Sequence, residues 1–237
     1  METRTVDYDC DGTLLTGYFA DNAPHTEKPA ILVAHEAFGM NDHIRARTRR
    51  LAELGYAAFA LDMYGVQGLS LSEAVSHHIA LTSAPGLMLA RASAALRLLM
   101  TLPGVDQKRM AAIGFCQGGM SALELARGGA PLQCAVGFHP GLKRPTGSLD
   151  HPIQAKVLMM IGDRDPDVPA EDRAAFADEM ERKQVDWQLH LFGGVGHAYT
   201  NPDIDRLNIP GYGYSPAADK RSWMMMLALF EEVFGTR

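Results

Sequence analysis

Short apolar runs alternate along the chain with longer segments in which apolar residues recur at helical spacing. After the first twenty residues, each of these runs is too short for a helix and rich in Val, Ile, Leu or Phe. Such runs predict strands that are buried on both faces. In chain order they are AILVA, YAAFALD, MAAIGF, CAVGF, AKVLMMIG and WQLHLF.

The segments between the strands predict helices, and two of them end at a glycine, Gly55 and Gly128, a common helix stop. The predicted helices span residues 42–54, 85–100, 117–126, 170–183 and 217–234. Strands that alternate with helices indicate a mostly parallel sheet with helices on both faces. In such sheets ligands bind beyond the carboxyl ends of the strands. Residues 64–83 leave two alternatives open, a loop or a lid that carries a short helix.

The first twenty residues follow a different pattern, in which residues 3–9 and 13–19 alternate between polar and apolar. Asp11-Gly12 lies between them, and this dipeptide favours a tight hairpin turn. We therefore expect an antiparallel hairpin at the start of the sheet. The whole chain, residues 1–237, is predicted to form one α/β domain.

Composition narrows the possible partners and compartment. The net charge is −6, and the basic residues are scattered rather than gathered in a stripe, which argues against a nucleic-acid partner. The amino terminus lacks a signal-peptide pattern, and the apolar runs are too short to span a membrane. The three cysteines, Cys10, Cys116 and Cys134, are widely spread, as in a reducing compartment. We predict a cytoplasmic protein without a membrane partner or cofactor, either a monomer or a small homo-oligomer.

Candidate chemistry begins with the sequence GFCQG, residues 114–118, between a predicted strand and a predicted helix. This is the G-x-nucleophile-x-G pattern in the strand-to-helix context that it requires. The sharp turn forces a strained backbone at the nucleophile, so its neighbours two residues away must be small, as Gly114 and Gly118 are. The positive end of the following helix favours a thiolate. Cys116 is therefore the candidate nucleophile.

Such a nucleophile needs a base and a group that orients the base, and both are expected later in the chain, acid before histidine. Three aspartates follow the strand VLMMIG, and of these Asp165 is the candidate acid. Asp163 and Asp167 are interpreted as solvated turn residues or as caps of the next helix. A calcium loop is excluded because its glycine and glutamate positions hold other residues. His197, in the glycine-rich segment after the last strand, is the candidate base.

The sequence HEAFG, residues 35–39, follows the first parallel strand. It lacks the second histidine of an H-E-x-x-H zinc site, and no metal is predicted. In an enzyme with a nucleophile turn, this loop and the residue after the nucleophile supply two backbone N–H groups to an oxyanion hole. Ala37 and Gln117 are the expected donors. A carboxylate such as Glu36 near a thiol would raise the thiol pKa unless it accepts the proton itself.

With these residues the chain resembles the dienelactone hydrolases, or carboxymethylenebutenolidases, which are α/β-hydrolases with a cysteine in place of the usual serine. The segments that carry the resemblance are HEAFG, GFCQGG, GDRDPDVP and GHAYTNP. The resemblance implies an α/β-hydrolase fold and a triad of Cys116, His197 and Asp165 that cleaves an ester or lactone through a thioester. It also implies that Glu36 contacts the resting thiol and accepts its proton when substrate binds.

The resemblance also implies which residues would bind the substrate. Family members that bind dienelactone are expected to hold its carboxylate with arginines, one of them four residues after the catalytic histidine, and here that position is Asn201. An amide cannot replace bidentate charge pairing, so a neutral ester or lactone is the expected substrate. Phe38, Tyr64, Tyr199 and Asn201 are the candidate pocket residues. Arg91 either reaches the site or is solvated at the surface.

Two other functions remain open at this stage. A cysteine acyltransferase or thioesterase would use the same residues and differ only in the molecule that resolves the acyl enzyme. A non-catalytic ligand-binding relative would keep the fold, and it predicts at least one damaged catalytic position. Cys116, Asp165 and His197 are all intact in this chain.

Overall fold

Eight strands form one sheet in the described part of the chain, which covers residues 1–235 of the computed structural model. The strands are β1 (Glu2–Cys10), β2 (Thr13–Asp21), β3 (Lys28–Ala34), β4 (Ala57–Ala60), β5 (Val105–Phe115), β6 (Cys134–Phe138), β7 (Lys156–Gly162) and β8 (Trp187–Phe192). One domain over residues 1–237 stays a prediction, and its last two residues lie outside the described part.

The sheet has the order β1-β2-β4-β3-β5-β6-β7-β8. β1 and β2 pair antiparallel, and so do β2 and β4, whereas every pair from β4 to β8 is parallel. In the turn between β1 and β2, Asp11 has φ 50° and Gly12 has φ 80°, the left-handed geometry of a tight hairpin. The predicted amino-terminal hairpin on a mostly parallel sheet is confirmed.

The helices cover both faces of this sheet. They are α1 (Asp42–Glu53), α2 (Leu71–Ser83), α3 (Leu87–Thr101), α4 (Gln117–Arg127), α5 (Ala170–Arg182) and α6 (Pro216–Phe234). Because side chains alternate along a strand, Ile31 and Val33 of β3 pack in a core cluster with α1 and α6. Leu32 between them packs in the opposite cluster with α3, α4 and α5.

Two expectations from the sequence change in the structure. The run WQLHLF is not buried on both faces, because β8 is an edge strand and Leu191 is about half exposed. The ambiguous residues 64–83 contain a regular helix, α2. Ser70 and Glu73 form a reciprocal capping box at its start, and this S-x-x-E pattern is a helix signal that can be read in the sequence.

The longest of the helices in residues 1–235 is α6, with 19 residues. No single helix there is long and apolar enough to cross a membrane. Only α2 and α3 taken together meet the length and composition criteria, and they are bent by 95° at the break between them.

The topology gathers the candidate chemistry at one edge. Glu36 follows β3, Cys116 follows β5, Asp165 follows β7 and His197 follows β8. These strands are parallel, so their carboxyl ends lie at the same edge of the sheet. Residues that are far apart in the chain are thereby brought together.

Candidate active site

Cys116 occupies a strained turn between β5 and α4. Its backbone has φ 53° and ψ −119°, a conformation that costs a non-glycine residue about 1–3 kcal/mol. The turn is held because the Cys116 N–H donates a hydrogen bond of 2.9 Å to the Phe138 carbonyl at the end of β6. The thiol lies beside the first turn of α4 and is partly exposed, so a substrate can reach it.

The glycines around Cys116 are required by close backbone contacts. A Cβ on Gly114 would lie 2.0 Å from the Gly118 carbonyl carbon, and a Cβ on Gly118 would lie 2.1 Å from the Ala34 carbonyl oxygen. Both distances are far inside van der Waals contact. The strand-turn-helix unit therefore packs against the end of β3 only when both positions are glycine.

His197 and Asp165 form a buried pair beside this turn. Nδ1 of His197 lies 2.7 Å from Oδ2 of Asp165, and both side chains are almost fully buried. Asp167 is more exposed and its carboxylate oxygen is 3.7 Å from the same nitrogen. The three side chains place potential metal ligands within 4.8 Å of one another. Nδ1 is already engaged in the bond to Asp165, so we assign these atoms to a His-Asp pair rather than to a metal site.

The charge of His197 depends on its two acidic neighbours. Burial lowers the pKa of the imidazole, but the negative charges of Cys116 and then Asp165 act against it and prevail, so the pKa lies well above its ordinary value. Nε2 is buried and has no hydrogen-bond partner within residues 1–235. The sulfur of Cys116 acts on the imidazole both through its charge and as a nearby hydrogen-bond acceptor, although the contact is looser than full hydrogen-bond geometry, as is common before substrate binds.

Glu36 is a carboxyl group buried without a full set of partners. It is 1% exposed, and Oε2 accepts a hydrogen bond of 2.8 Å from the Asn201 amide. Burial raises its pKa from 4.5 to about 7, against smaller lowering effects of His197 and Asn201. In the described part of the chain Oε1 has no hydrogen-bond partner. A hydrogen bond between Glu36 and the Cys116 thiol, which the resemblance implies at rest, is therefore not formed here.

The loop that carries Glu36 is fixed by His35. Nε2 of His35 accepts the Met63 N–H at 3.1 Å, so Nδ1 carries the proton and donates to the Glu36 carbonyl at 2.6 Å. His35 is fully buried, and burial lowers its pKa. A neutral imidazole thus holds the Glu36 backbone in place.

Tyr64 links the two candidate oxyanion-hole residues. Its hydroxyl lies 2.7 Å from the Gln117 side-chain oxygen and 3.1 Å from the Ala37 carbonyl. The same Gln117 oxygen is 2.7 Å from Nδ1 of His78 on α2. Among residues 1–235, the backbone N–H groups of Ala37 and Gln117 have no hydrogen-bond partner. They remain available to a ligand oxygen.

The segment after His197 is anchored in the protein core. Tyr199 was expected to line the pocket, but it is fully buried, and its hydroxyl donates to the Met160 carbonyl at 3.2 Å. The carbonyl of Thr200 accepts a hydrogen bond of 2.8 Å from buried Arg47. Tyr199 is therefore a packing residue: its ring packs against Phe192 and His139, and it does not line the cavity of the candidate nucleophile.

A cavity of about 360 Å³ opens onto the sulfur of Cys116. Its lining is mainly apolar and consists of Glu36, Ala37, Phe38, Leu71, Ala74, Val75, His78, Cys116, Asp167, His197, Ala198, Ile209 and Tyr212. Of the expected pocket residues, Phe38 lines this cavity. Tyr64 lies behind it, and Asn201 lines a neighbouring cavity that also contacts Phe38.

Some side chains of the site were not anticipated from the sequence. Helix α2 supplies four cavity residues, including His78. The sequence does not reveal them, because it leaves residues 64–83 open between a loop and a lid with a short helix. The α5 cap is Pro169 without a side-chain hydrogen bond, so the capping alternative for Asp163 and Asp167 is wrong. Asp163 instead accepts the Gly194 N–H at 2.6 Å. Arg91 does not line the cavity; it is half-buried and donates to the Met63 carbonyl.

Comparison with known proteins places these features in a family. A sequence model of the dienelactone hydrolase family matches residues 15–234. A relative from Bradyrhizobium sp, named "Probable 2-oxo-3-(5-oxofuran-2-ylidene)propanoate lactonase", is 30% identical over 229 residues, which cover 92% of this chain and 89% of the relative.

Two solved structures are more similar still. A dienelactone hydrolase-like promiscuous phosphotriesterase from metagenomic libraries is 41% identical, with 99% of both chains covered and a TM-score of 0.93. A protein called m3DLH is 40% identical, with 98% of both chains covered and a TM-score of 0.93. These likenesses confirm the predicted α/β-hydrolase fold. Because the family match spans nearly all of the described residues, the chain belongs to the dienelactone hydrolase family, a family of hydrolases.

Proposed function

We propose that this protein hydrolyses small neutral esters or lactones through a thioester on Cys116. One observation carries the proposal: the sulfur in the strained turn faces an apolar cavity and lies beside the buried pair of His197 and Asp165. A nucleophile, a base and a group that orients the base are the parts required for acyl transfer. The family match supports hydrolysis as the outcome.

In the proposed first step, the Cys116 sulfur attacks the carbonyl carbon and the carbonyl oxygen becomes an oxyanion. The N–H groups of Ala37 and Gln117 donate to that oxyanion, and such donors are each worth about 3–4 kcal/mol of barrier. The carbon–oxygen bond to the alcohol then breaks, and protonated His197 supplies the proton to the leaving alkoxide. In the second step His197 takes a proton from water, which attacks the thioester and releases the acid and the thiolate.

Glu36 has a proposed role in the proton balance of the resting site. A carboxyl with a pKa of about 7 exchanges protons readily at neutral pH. It would accept the thiol proton when the substrate rearranges the site, as the resemblance implies. The unpaired Oε1, which is buried at the cavity wall, supports this role.

The charge of the cavity supports a neutral substrate. Among the residues described, none of those that line the cavity is Lys or Arg, while Glu36 and Asp167 contribute carboxyl groups. A substrate carboxylate would therefore find no Lys or Arg to pair with, since the cationic imidazole of His197 is already paired with Asp165, and it would meet two acidic neighbours. This favours neutral esters and lactones over dienelactone.

A phosphotriester is a second candidate substrate. Phosphotriesters are also uncharged, and a similar solved structure, 41% identical, is described as a promiscuous phosphotriesterase. The same sulfur would attack phosphorus and displace an aryloxide. A diethyl aryl phosphate assayed with the wild type and Cys116→Ala tests this candidate, and equal rates for the two proteins would reject it.

The main proposal is tested with matched pairs of aryl esters and lactones, one of each pair bearing a carboxylate. The wild type is expected to prefer the neutral member, and Cys116→Ala is expected to lose turnover of both. Equal turnover by wild type and Cys116→Ala would reject the nucleophile. A preference for the carboxylate member would reject the substrate class. Added alcohol that diverts most of the acyl group into a new ester would favour the acyltransferase alternative.

A further inference from the structure

Helix α2 presents an apolar stripe to solvent. Leu71, Val75 and Ile79 are 45%, 48% and 56% exposed, and they are spaced at i, i+4 and i+8, so they share one face. The buried residues of α2 are Ala74 and Leu81, which attach the helix to the core through its other side. Large aliphatic residues on the outward face of a surface helix indicate a binding surface.

This stripe is continuous with the catalytic cavity. Leu71 and Val75 line the cavity that holds Cys116. Ile79 lies one helical turn farther along, about 6 Å beyond Val75 at 1.5 Å per residue. Two of the three stripe residues therefore share the cavity with the reacting sulfur, and the third lies next to them on the same face of the helix.

The position of α2 over the sulfur is fixed by a polar contact. Nδ1 of His78 lies 2.7 Å from the side-chain oxygen of Gln117, the residue after the nucleophile. His78 directly precedes Ile79 in the helix. On the other wall of the cavity, Phe38 and Ile209 provide further apolar surface. A chain that leaves the sulfur in this direction thus meets apolar groups on both sides.

We propose that the stripe of Leu71, Val75 and Ile79 binds the hydrocarbon chain of the ester, so that this hydrolase selects esters with a medium-length chain. This inference rests on the proposed function of Cys116. Full burial of one methylene is worth about 0.8 kcal/mol, or about fourfold in kcat/KM. A chain that lies on a half-open surface buries about half of each methylene, so about twofold per methylene is expected.

The test compares kcat/KM for p-nitrophenyl butyrate and octanoate, below their aggregation concentrations, in wild type, Val75→Ser and Ile79→Ser. Met224→Ser is the matched control, because Met224 is an exposed apolar residue on the distant helix α6. Wild type and control are expected to prefer octanoate by about 16-fold, from about twofold for each of the four extra methylenes. Each stripe variant should reduce the preference to about threefold or less. Butyl and octyl acetate show whether the chain belongs to the alcohol instead of the acyl group.

Three results would overturn the inference. The first is a wild type that shows no chain-length preference in either ester series. The second is a preference that survives in Ile79→Ser. The third is sedimentation of the wild type as a dimer and of Ile79→Ser as a monomer with unchanged preference, which would assign the stripe to a second copy of the chain. If no ester is turned over in a way that depends on Cys116, the proposed function is refuted, and the chain-length inference is refuted with it.

Discussion

Replacing Glu36 with glutamine should stabilise the fold at alkaline pH. Glu36 is 1% exposed, and burial raises its pKa from 4.5 to about 7. The folded protein therefore binds a proton more tightly than the unfolded chain, and stability falls as pH rises from 4.5 to 7 and then levels off. Glutamine is nearly the same shape as the protonated acid and removes this titration.

The size of the effect follows from linkage. With these two pKa values, the ionisation of Glu36 costs the folded state about 2.5 kcal/mol more at pH 8.5 than at pH 5. Urea unfolding of wild type and Glu36→Gln at both pH values measures the difference. We expect the variant to gain about 2 to 3 kcal/mol relative to wild type between the two conditions. Titrating groups that do not interact with Glu36 cancel in this comparison.

Activity provides the second half of the test. The same variant should hydrolyse ester more slowly than wild type, since the proton acceptor is lost. For the same reason, the pH dependence of thiol alkylation should differ between the variant and wild type. A stability difference that does not vary with pH would refute the burial of an ionisable Glu36. Unchanged steady-state rates and unchanged alkylation across pH would refute its role as a proton acceptor.

Three further substitutions test parts of the site. Asp165→Asn should lower kcat by about 10³–10⁴-fold through loss of the histidine tautomer, with a far smaller loss for Asp167→Asn, and similar losses would contradict the assignment of the acid. Gly118→Ala should cost about 3 kcal/mol or more in urea unfolding, whereas Gly193→Ala, whose Cβ meets nothing within 4 Å, should stay within about 0.5 kcal/mol. Tyr64→Phe should reduce kcat about tenfold with little change in KM, since oxyanion donors act in the transition state; a change confined to KM would refute its positioning role.

The candidate nucleophile could be predicted because local rules determine its surroundings. Gly114 and Gly118 flank Cys116 at the only spacing that the strand-turn-helix contact allows, and this spacing is visible in the sequence. Asp165 and His197 could be selected because they follow neighbouring parallel strands.

The cavity wall could not be predicted in the same way. Tyr199 and Asn201 both follow His197 closely, yet one turns into the core and the other binds Glu36. That difference depends on contacts with residues more than 35 positions away. The side of α2 that faces the cavity likewise depends on a long-range contact, between His78 and Gln117. The capping box of Ser70 and Glu73 indicates where the helix begins, but it does not determine which side of the helix faces the cavity.

The most direct test of the thioester on Cys116 is mass spectrometry of the protein, quenched in acid shortly after mixing with p-nitrophenyl acetate. Wild type should gain the mass of one acetyl group, located by peptide mapping to the segment that contains Cys116, and the added group should be released by neutral hydroxylamine. Cys116→Ala should gain none. An acetyl group on another residue, or full turnover by Cys116→Ala, would contradict the account.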